Sequence, residues 1–137
     1  FKLLKKVNSE LNISMLLLTH DISVVAKYAD YIGVMYGGKM MEYGTVEDVF
    51  EHMYHPYTLG LIQSTPSLKK DISLMKPIAG SPPDLMDMPT GCVFNPRCPK
   101  VFGLCKKQDP QSHKIGKMNH YVRCHLYEGG KDNESVD

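Results

Sequence analysis

All four cysteines of this 137-residue chain lie between positions 92 and 124, spaced Cys92-x5-Cys98-x6-Cys105-x18-Cys124. Four thiols crowded into a short, weakly apolar segment suit ligation, because a bound ion or cluster supplies organisation that such a segment lacks as a core. Structural zinc sites usually pair cysteines about two to four residues apart, and no pair here has that spacing. The close cysteine run of bacterial ferredoxins is absent as well. Four thiolates can still hold the corners of a [4Fe–4S] cluster if loops fold around it. Zinc is the alternative, and reduced structural thiols with one labile disulfide are the third reading. His113, His120 and His125 are further ligand candidates. Arg97 and Arg123 could pair with carboxylates or cluster sulfurs, and Lys100, Lys106 and Lys107 beside Arg97 read as a solvated basic face.

The second residue with chemistry to offer is His20, in Leu16-Leu17-Leu18-Thr19-His20-Asp21. Ile13, Met15, Leu16, Leu17 and Leu18 predict a buried strand of the kind found in parallel sheets covered on both faces. His20 would then lie just beyond the strand's carboxyl end, where open α/β sheets keep their ligands. An imidazole there can hydrogen-bond a phosphate oxygen or a water beside it. A packed loop histidine would occupy the same position, so location alone leaves both readings open. His52 and His55 lack a nearby third ligand and read as helix-end or surface residues.

The elements that must position these residues are legible from pattern. Phe1, Leu4, Val7 and Leu11 form a helical stripe. It is already running at residue 1 without a cap or an initiator Met, which predicts a fragment entering mid-helix. Asp21 predicts an N-cap for a helix starting at Ile22. Tyr31–Tyr36 and Lys39–Tyr43 predict a hairpin turning at Gly37-Gly38. Thr45 with Asp48 predicts a capping box for a short helix, and Pro56 predicts the first position of the next. From Pro77 to Gly91, proline and glycine predict turns and extended chain. Met75, Met86 and Met88 have no regular register and read as packing residues rather than a soft-metal stripe. Residues 128–137, with four acids and one base, predict a mobile tail.

Composition removes several function classes. The net charge is +1, from 16 Lys+Arg against 15 Asp+Glu, so no basic field points to nucleic acid. No apolar run approaches the roughly 20 residues that span a bilayer. The opening Phe1-Lys2-Leu3-Leu4-Lys5-Lys6 lacks a signal peptide's pattern.

Residues 17–21, Ala29-Asp30-Tyr31-Ile32 and the hairpin Met35–Gly44 resemble the C-terminal end of an ABC transporter ATPase domain. The resemblance implies an α/β fold, the C-terminal portion of a P-loop ABC ATPase domain, followed by a small irregular cysteine-rich module. Thr19-His20-Asp21 matches that family's switch segment, which implies that His20 contacts the γ-phosphate of ATP. His55-Pro56-Tyr57-Thr58-Leu59-Gly60-Leu61-Ile62 resembles the narrower branch of oligopeptide and dipeptide importers, which nickel importers share. Gly91-Cys92-x-Phe94-x-Pro96-Arg97-Cys98-Pro99, Cys105 and Val122-Arg123-Cys124-His125 resemble that branch's C-terminal motif. This implies a [4Fe–4S] cluster on Cys92, Cys98, Cys105 and Cys124.

The implied organisation is an ATPase part over 1–52, an importer extension and linker over 53–89, a four-cysteine module over 90–126 and a disordered tail over 127–137. The implied cofactors of the intact subunit are ATP with Mg²⁺. The implied partners are a second ABC ATPase subunit, transmembrane permeases and, indirectly, an extracytoplasmic peptide-binding protein. Its place would be the cytoplasmic face of the membrane, bound peripherally, with oligopeptide, dipeptide or nickel as cargo. The chain contains no Gly-x-x-x-x-Gly-Lys-Ser/Thr loop, and Gly80-Ser81-Pro82-Pro83 has no lysine to replace it. The family's Walker B, glutamine-loop and signature motifs are also missing, so the chain alone is expected neither to bind ATP tightly nor to hydrolyse it. A reading from another class is a non-catalytic iron–sulfur or zinc interaction module.

Overall fold

The computed structural model describes residues 1–65, 77–116 and 119–128. Met75 and the acidic tail beyond Glu128 lie outside the described residues.

Helix α1 (Lys2–Leu11) forms on the predicted stripe and stops at Asn12, which takes a left-handed φ of 49°. Its apolar side chains remain uncovered, with no residue of the helix buried. The expected strand at 13–18 does not form: the segment is irregular, and Leu16 and Leu18 are 89% and 83% exposed. A buried strand needs neighbours to pair with and layers to cover it. The described sheet runs β1-β2-β4-β3, so β1 is an edge bonded only to β2 and no strand flanks residues 13–18. His20 therefore follows an irregular, exposed segment rather than a strand end.

Beyond it, local signals hold. The Asp21 carboxylate accepts the Ser23 N–H at 3.0 Å and starts α2 (Ile22–Tyr28). Strands β1 (Tyr31–Tyr36) and β2 (Lys39–Thr45) form the hairpin. Gly37 and Gly38 take φ values of 54° and 74°, the positive values that two-residue hairpin turns require. Thr45 Oγ1 accepts the Asp48 N–H at 3.1 Å and caps α3 (Val46–Glu51). Pro56 opens α4 (Pro56–Gln63).

The cysteine-bearing segment is more regular than expected. Strands β3 (Ser112–Ile115) and β4 (His120–Arg123) pair antiparallel, and β4 joins β2 through Glu42↔Val122 and Tyr43↔Tyr121. The result is a four-stranded antiparallel sheet within an α/β structure. On the exposed face Tyr31 stacks on Tyr43 with centroids 5.9 Å apart, and Tyr121 meets Tyr43 at 6.3 Å with the rings tilted by 44°. The opposite face is buried. Ile32, Val34, Val49 and Ile62 pack α2, α3 and α4 onto the hairpin, while Tyr36, Met41, Val93 and Phe94 pack the cysteine segment beside them.

A register shift at Val34/Met35 makes Met41 an extra residue in β2. Strict alternation would send Met41 and Glu42 to opposite faces, but the bulge turns both inward, each 1% exposed. The buried Glu42 carboxylate is surrounded by donors. Oε1 accepts the Tyr54 N–H at 2.9 Å and faces His120 Nε2 at 2.8 Å, and Oε2 accepts the His55 N–H at 3.1 Å. One side chain thus joins β2, the entry to α4 and β4. Removing it leaves three buried donors without an acceptor. Glu42→Ala is expected to lower the unfolding free energy by about 3 kcal/mol in a urea titration. Lys27→Ala, on the exposed side of α2, should change it by less than about 0.5 kcal/mol. Equal midpoints for the two variants would refute the role given to Glu42.

Candidate functional site

The residues singled out for chemistry fall at two places. His20 lies on the exposed connection between residue 19 and α2. The connection is ordered by its neighbours: the Asp21 N–H donates to Thr19 Oγ1 at 3.0 Å, and the Ser23 hydroxyl donates to Asp21 Oδ1 at 2.5 Å. The Ser23 hydrogen bonds hold the Asp21 carboxyl below its usual range. An exposed imidazole beside an ordered helix start is free to meet a ligand from outside, although the strand expected behind it is absent.

The cysteine segment packs against Tyr36 and Met41 on the buried face of the hairpin. Cys92, Cys105 and Cys124 are buried and Cys98 is half-buried, all four free of disulfides. Cys92 and Cys105 are joined through the main chain, the Cys92 N–H donating to the Cys105 carbonyl at 2.8 Å. Gly91 makes that approach possible. Its φ is 76°, and a Cβ there would stand 2.3 Å from the Cys105 oxygen. Short 3-10 turns at Asn95–Arg97 and Gly103–Lys106 carry the chain past Cys98 and Cys105. Cys124 follows directly on β4.

Burial pushes the Cys92 and Cys98 thiols up and the Cys124 thiol up to about 12. The other three cysteines add to the rise at Cys124, so the four groups are near enough to feel one another's charge. Among the described residues no three Cys, His, Asp or Glu side chains are grouped as ligands of a single ion. All four thiols are free of disulfides, and Cys92 and Cys105 meet at a loop closed by a glycine.

Two of the other candidate histidines are held by hydrogen bonds, while His113 Nε2 is buried without one. His120 is held by Glu42. His125 lies between the Gln108 carbonyl, 2.7 Å from Nε2, and Glu128 Oε1, 2.5 Å from Nδ1. His113 Nε2 stands 3.9 Å from that same Glu128 oxygen. Arg97 clamps the preceding segment instead of facing sulfur. It donates to the Ala79 and Ile78 carbonyls at 2.8 and 3.2 Å and to the Tyr36 hydroxyl at 3.2 Å. Arg123 pairs with Asp109 at 2.5 Å. Lys100, Lys106 and Lys107 are exposed, as a solvated face requires. Met88 packs against the core cluster that contains Tyr36, Val93, Cys92 and Cys105, while Met86 is 94% exposed.

His55 takes the helix-end role read for it, but buried rather than at the surface. It is 1% exposed, and its Nδ1 accepts the Tyr57 N–H at 3.0 Å as the N-cap of α4. Glu42, Asp109 and the bracing role of His125 were not visible from the sequence. A lone inward charge in a strand signals nothing until the bulge is known.

Residues 41–105 match the family described as oligopeptide/dipeptide transporter, C-terminal region. The chain belongs to the oligopeptide/dipeptide transport ATP-binding proteins. It is 43% identical over 130 residues to the dipeptide transport ATP-binding protein DppD of Caldanaerobacter subterraneus subsp. tengcongensis, covering 95% of this chain and 40% of the relative. It is 43% identical over 129 residues to the oligopeptide transport ATP-binding protein AppD of Bacillus subtilis, covering 93% of this chain and 38% of the relative. To the oligopeptide transport ATP-binding protein OppD of Salmonella typhimurium it is 42% identical over 108 residues, covering 79% of this chain and 32% of the relative. The chain thus spans between about a third and two fifths of the length of these relatives. The family match takes in Glu42, His55-Pro56-Tyr57 and three of the four cysteines. Among the described residues of this family member, no helix is long and apolar enough to cross a membrane.

The buried cap has a pH signature. Burial lowers the His55 pKa from 6.5 to about 4. Between those values the unfolded chain binds a proton that the folded one refuses, so stability falls as the pH drops from 6.5 toward 4 and levels below. The loss attributable to this residue should be about 3 kcal/mol. His55→Asn keeps a capping oxygen and has no such titration. Urea midpoints measured across this range should decline less steeply for the variant, and parallel declines would overturn the assignment.

Proposed function

We propose that this chain is the C-terminal part of an ATP-hydrolysing subunit that energises peptide import across the cytoplasmic membrane. The observation that carries the reading is the family match over residues 41–105, joined by the roughly 40% identity to peptide transport ATP-binding proteins over more than nine tenths of the chain. In the intact subunit, ATP and Mg²⁺ would bind largely to residues outside the present sequence. His20 would contribute one contact, from the start of α2 to the γ-phosphate. An imidazole can donate to a phosphate oxygen or hold the attacking water, and either contact gains strength as negative charge redistributes in the transition state. The subunit would work beside a second ATP-binding subunit and against transmembrane permeases, peripherally on the cytoplasmic face.

The organisation consistent with this reading is an ATPase part over 1–52, an extension over 53–89, a thiol module over 90–126 and a tail over 127–137. Cys92, Cys98, Cys105 and Cys124 would hold a [4Fe–4S] cluster in the thiol module. Bound there, the cluster would supply a four-way cross-link in a segment with little core of its own. The chain's own contribution is a dry setting and a loop, closed at Gly91, that brings Cys92 and Cys105 together.

A chimera tests the ATPase assignment: residues 1–137 replacing the matched C-terminal part of the Bacillus subtilis AppD relative. The chimera should hydrolyse ATP, and His20→Ala should reduce turnover about 100-fold. The separate 137-residue chain should show no turnover. An inactive, folded chimera, or one indifferent to His20→Ala, would overturn the switch role.

The cluster has its own measurement. Anaerobically purified chain should be brown, absorb near ~400 nm and carry about four iron and four sulfide. Colourless protein with stoichiometric zinc would replace the cluster with a zinc site.

A further inference from the structure

Cys124 stands between two residues that are each tied to the same short run of chain. Before it, Arg123 NH2 donates to Asp109 Oδ2 at 2.5 Å, and Lys39 Nζ reaches the same oxygen at 2.8 Å. After it, His125 Nε2 meets the Gln108 carbonyl at 2.7 Å. Gln108 and Asp109 follow Cys105 by three and four residues, and Cys105 is in turn bonded through its carbonyl to Cys92. The two ties therefore fix the end of β4 against the Cys92–Cys105 loop at consecutive points.

The His125 tie is the more enclosed of the two. Its side chain is fully buried, whereas those of Arg123 and Asp109 are about a quarter and a third exposed. A peptide carbonyl can only accept, so Nε2 must carry the proton at Gln108. The other ring nitrogen is held by Glu128 Oε1 at 2.5 Å, which fixes the ring's rotation. Phe102 lies edge-on to the ring at 6.3 Å between centroids. Neither ring nitrogen is left for a ligand, so the residue next to Cys124 is spent on holding rather than binding.

We propose that His125 is the positioning residue for the Cys124 thiol, pinning it to the Cys92–Cys105 loop. The inference rests on the reading of those cysteines as one site, and its test separates the two. His125→Phe keeps the ring and its contact with Phe102 but loses both hydrogen bonds. His125→Gln restores one donor that can reach the Gln108 carbonyl.

In the reduced, metal-free chain, iodoacetamide labelling mapped by mass spectrometry should modify Cys124 about tenfold faster in His125→Phe than in the native protein. Cys92 and Cys105 should stay within about twofold, and His125→Gln should recover most of the protection. After anaerobic treatment with ferrous iron and sulfide, His125→Phe should retain less iron and show weaker absorbance near ~400 nm than the native chain. Unchanged Cys124 labelling in His125→Phe would overturn the proposal. So would equal acceleration at Cys92, Cys105 and Cys124, because that pattern marks general loosening. If the native chain takes up no iron while Cys124 alone is unmasked in the variant, the positioning role stands and the cluster reading fails.

Discussion

One buried carboxylate holds the described structure together. Glu42 is 1% exposed, and a charge so placed is tolerable only if donors replace the water it has lost. Three donors do so, from the backbone of Tyr54 and His55 and from the ring of His120. They arrive from two segments, one 12 and 13 residues further along the chain and the other 78. The same contact therefore sets where α4 begins and where β4 lies against β2. The entry to α4 is also where helix geometry leaves backbone N–H groups unpaired, so a carboxylate there meets both an unfilled need and a favourable dipole. The bulge at Met41 is the precondition, because it turns Glu42 inward.

This arrangement explains what could and could not be read in advance. Signals completed within four residues were legible: the Gly37-Gly38 turn, the caps at Asp21 and Thr45, and Pro56 at the head of α4. Each involves a donor and acceptor, or a dihedral, that local chain geometry alone decides. The Glu42–His120 pair was not legible, because a glutamate in an amphipathic hairpin reads as solvent-facing and the pairing spans most of the chain. Strands β3 and β4 were missed for a related reason. Each is four residues long, too short for alternation to stand out, and β4 is stabilised by β2 and by the tyrosines stacked across the sheet.

The strand expected at 13–18 failed in the opposite direction. Its apolar run is the strongest hydrophobic signal in the chain, yet a strand is a relationship with neighbours rather than a property of its own residues. Burying a leucine or isoleucine contributes about 1.5–3 kcal/mol only where there is something to bury it against. Leu16 and Leu18 have nothing of the kind among the described residues. His20 consequently keeps the local part of its setting, the capped start of α2, without the layered part.

The thiol site has the reverse character. Its spacing of five, six and eighteen residues fits no compact ligand motif. Cys92 and Cys105 meet through a backbone hydrogen bond that a glycine permits, and Cys124 arrives from the far end of a strand positioned by Glu42. Desolvation raises the Cys92, Cys98 and Cys124 thiols, and the other cysteines raise Cys124 further. Deprotonating them against that resistance requires concentrated positive charge. Among the nearby cations, Arg123 and Lys39 are committed to Asp109 and Arg97 to carbonyls and a hydroxyl, while Lys100 acts on Cys98 and opposes the rise of its pKa.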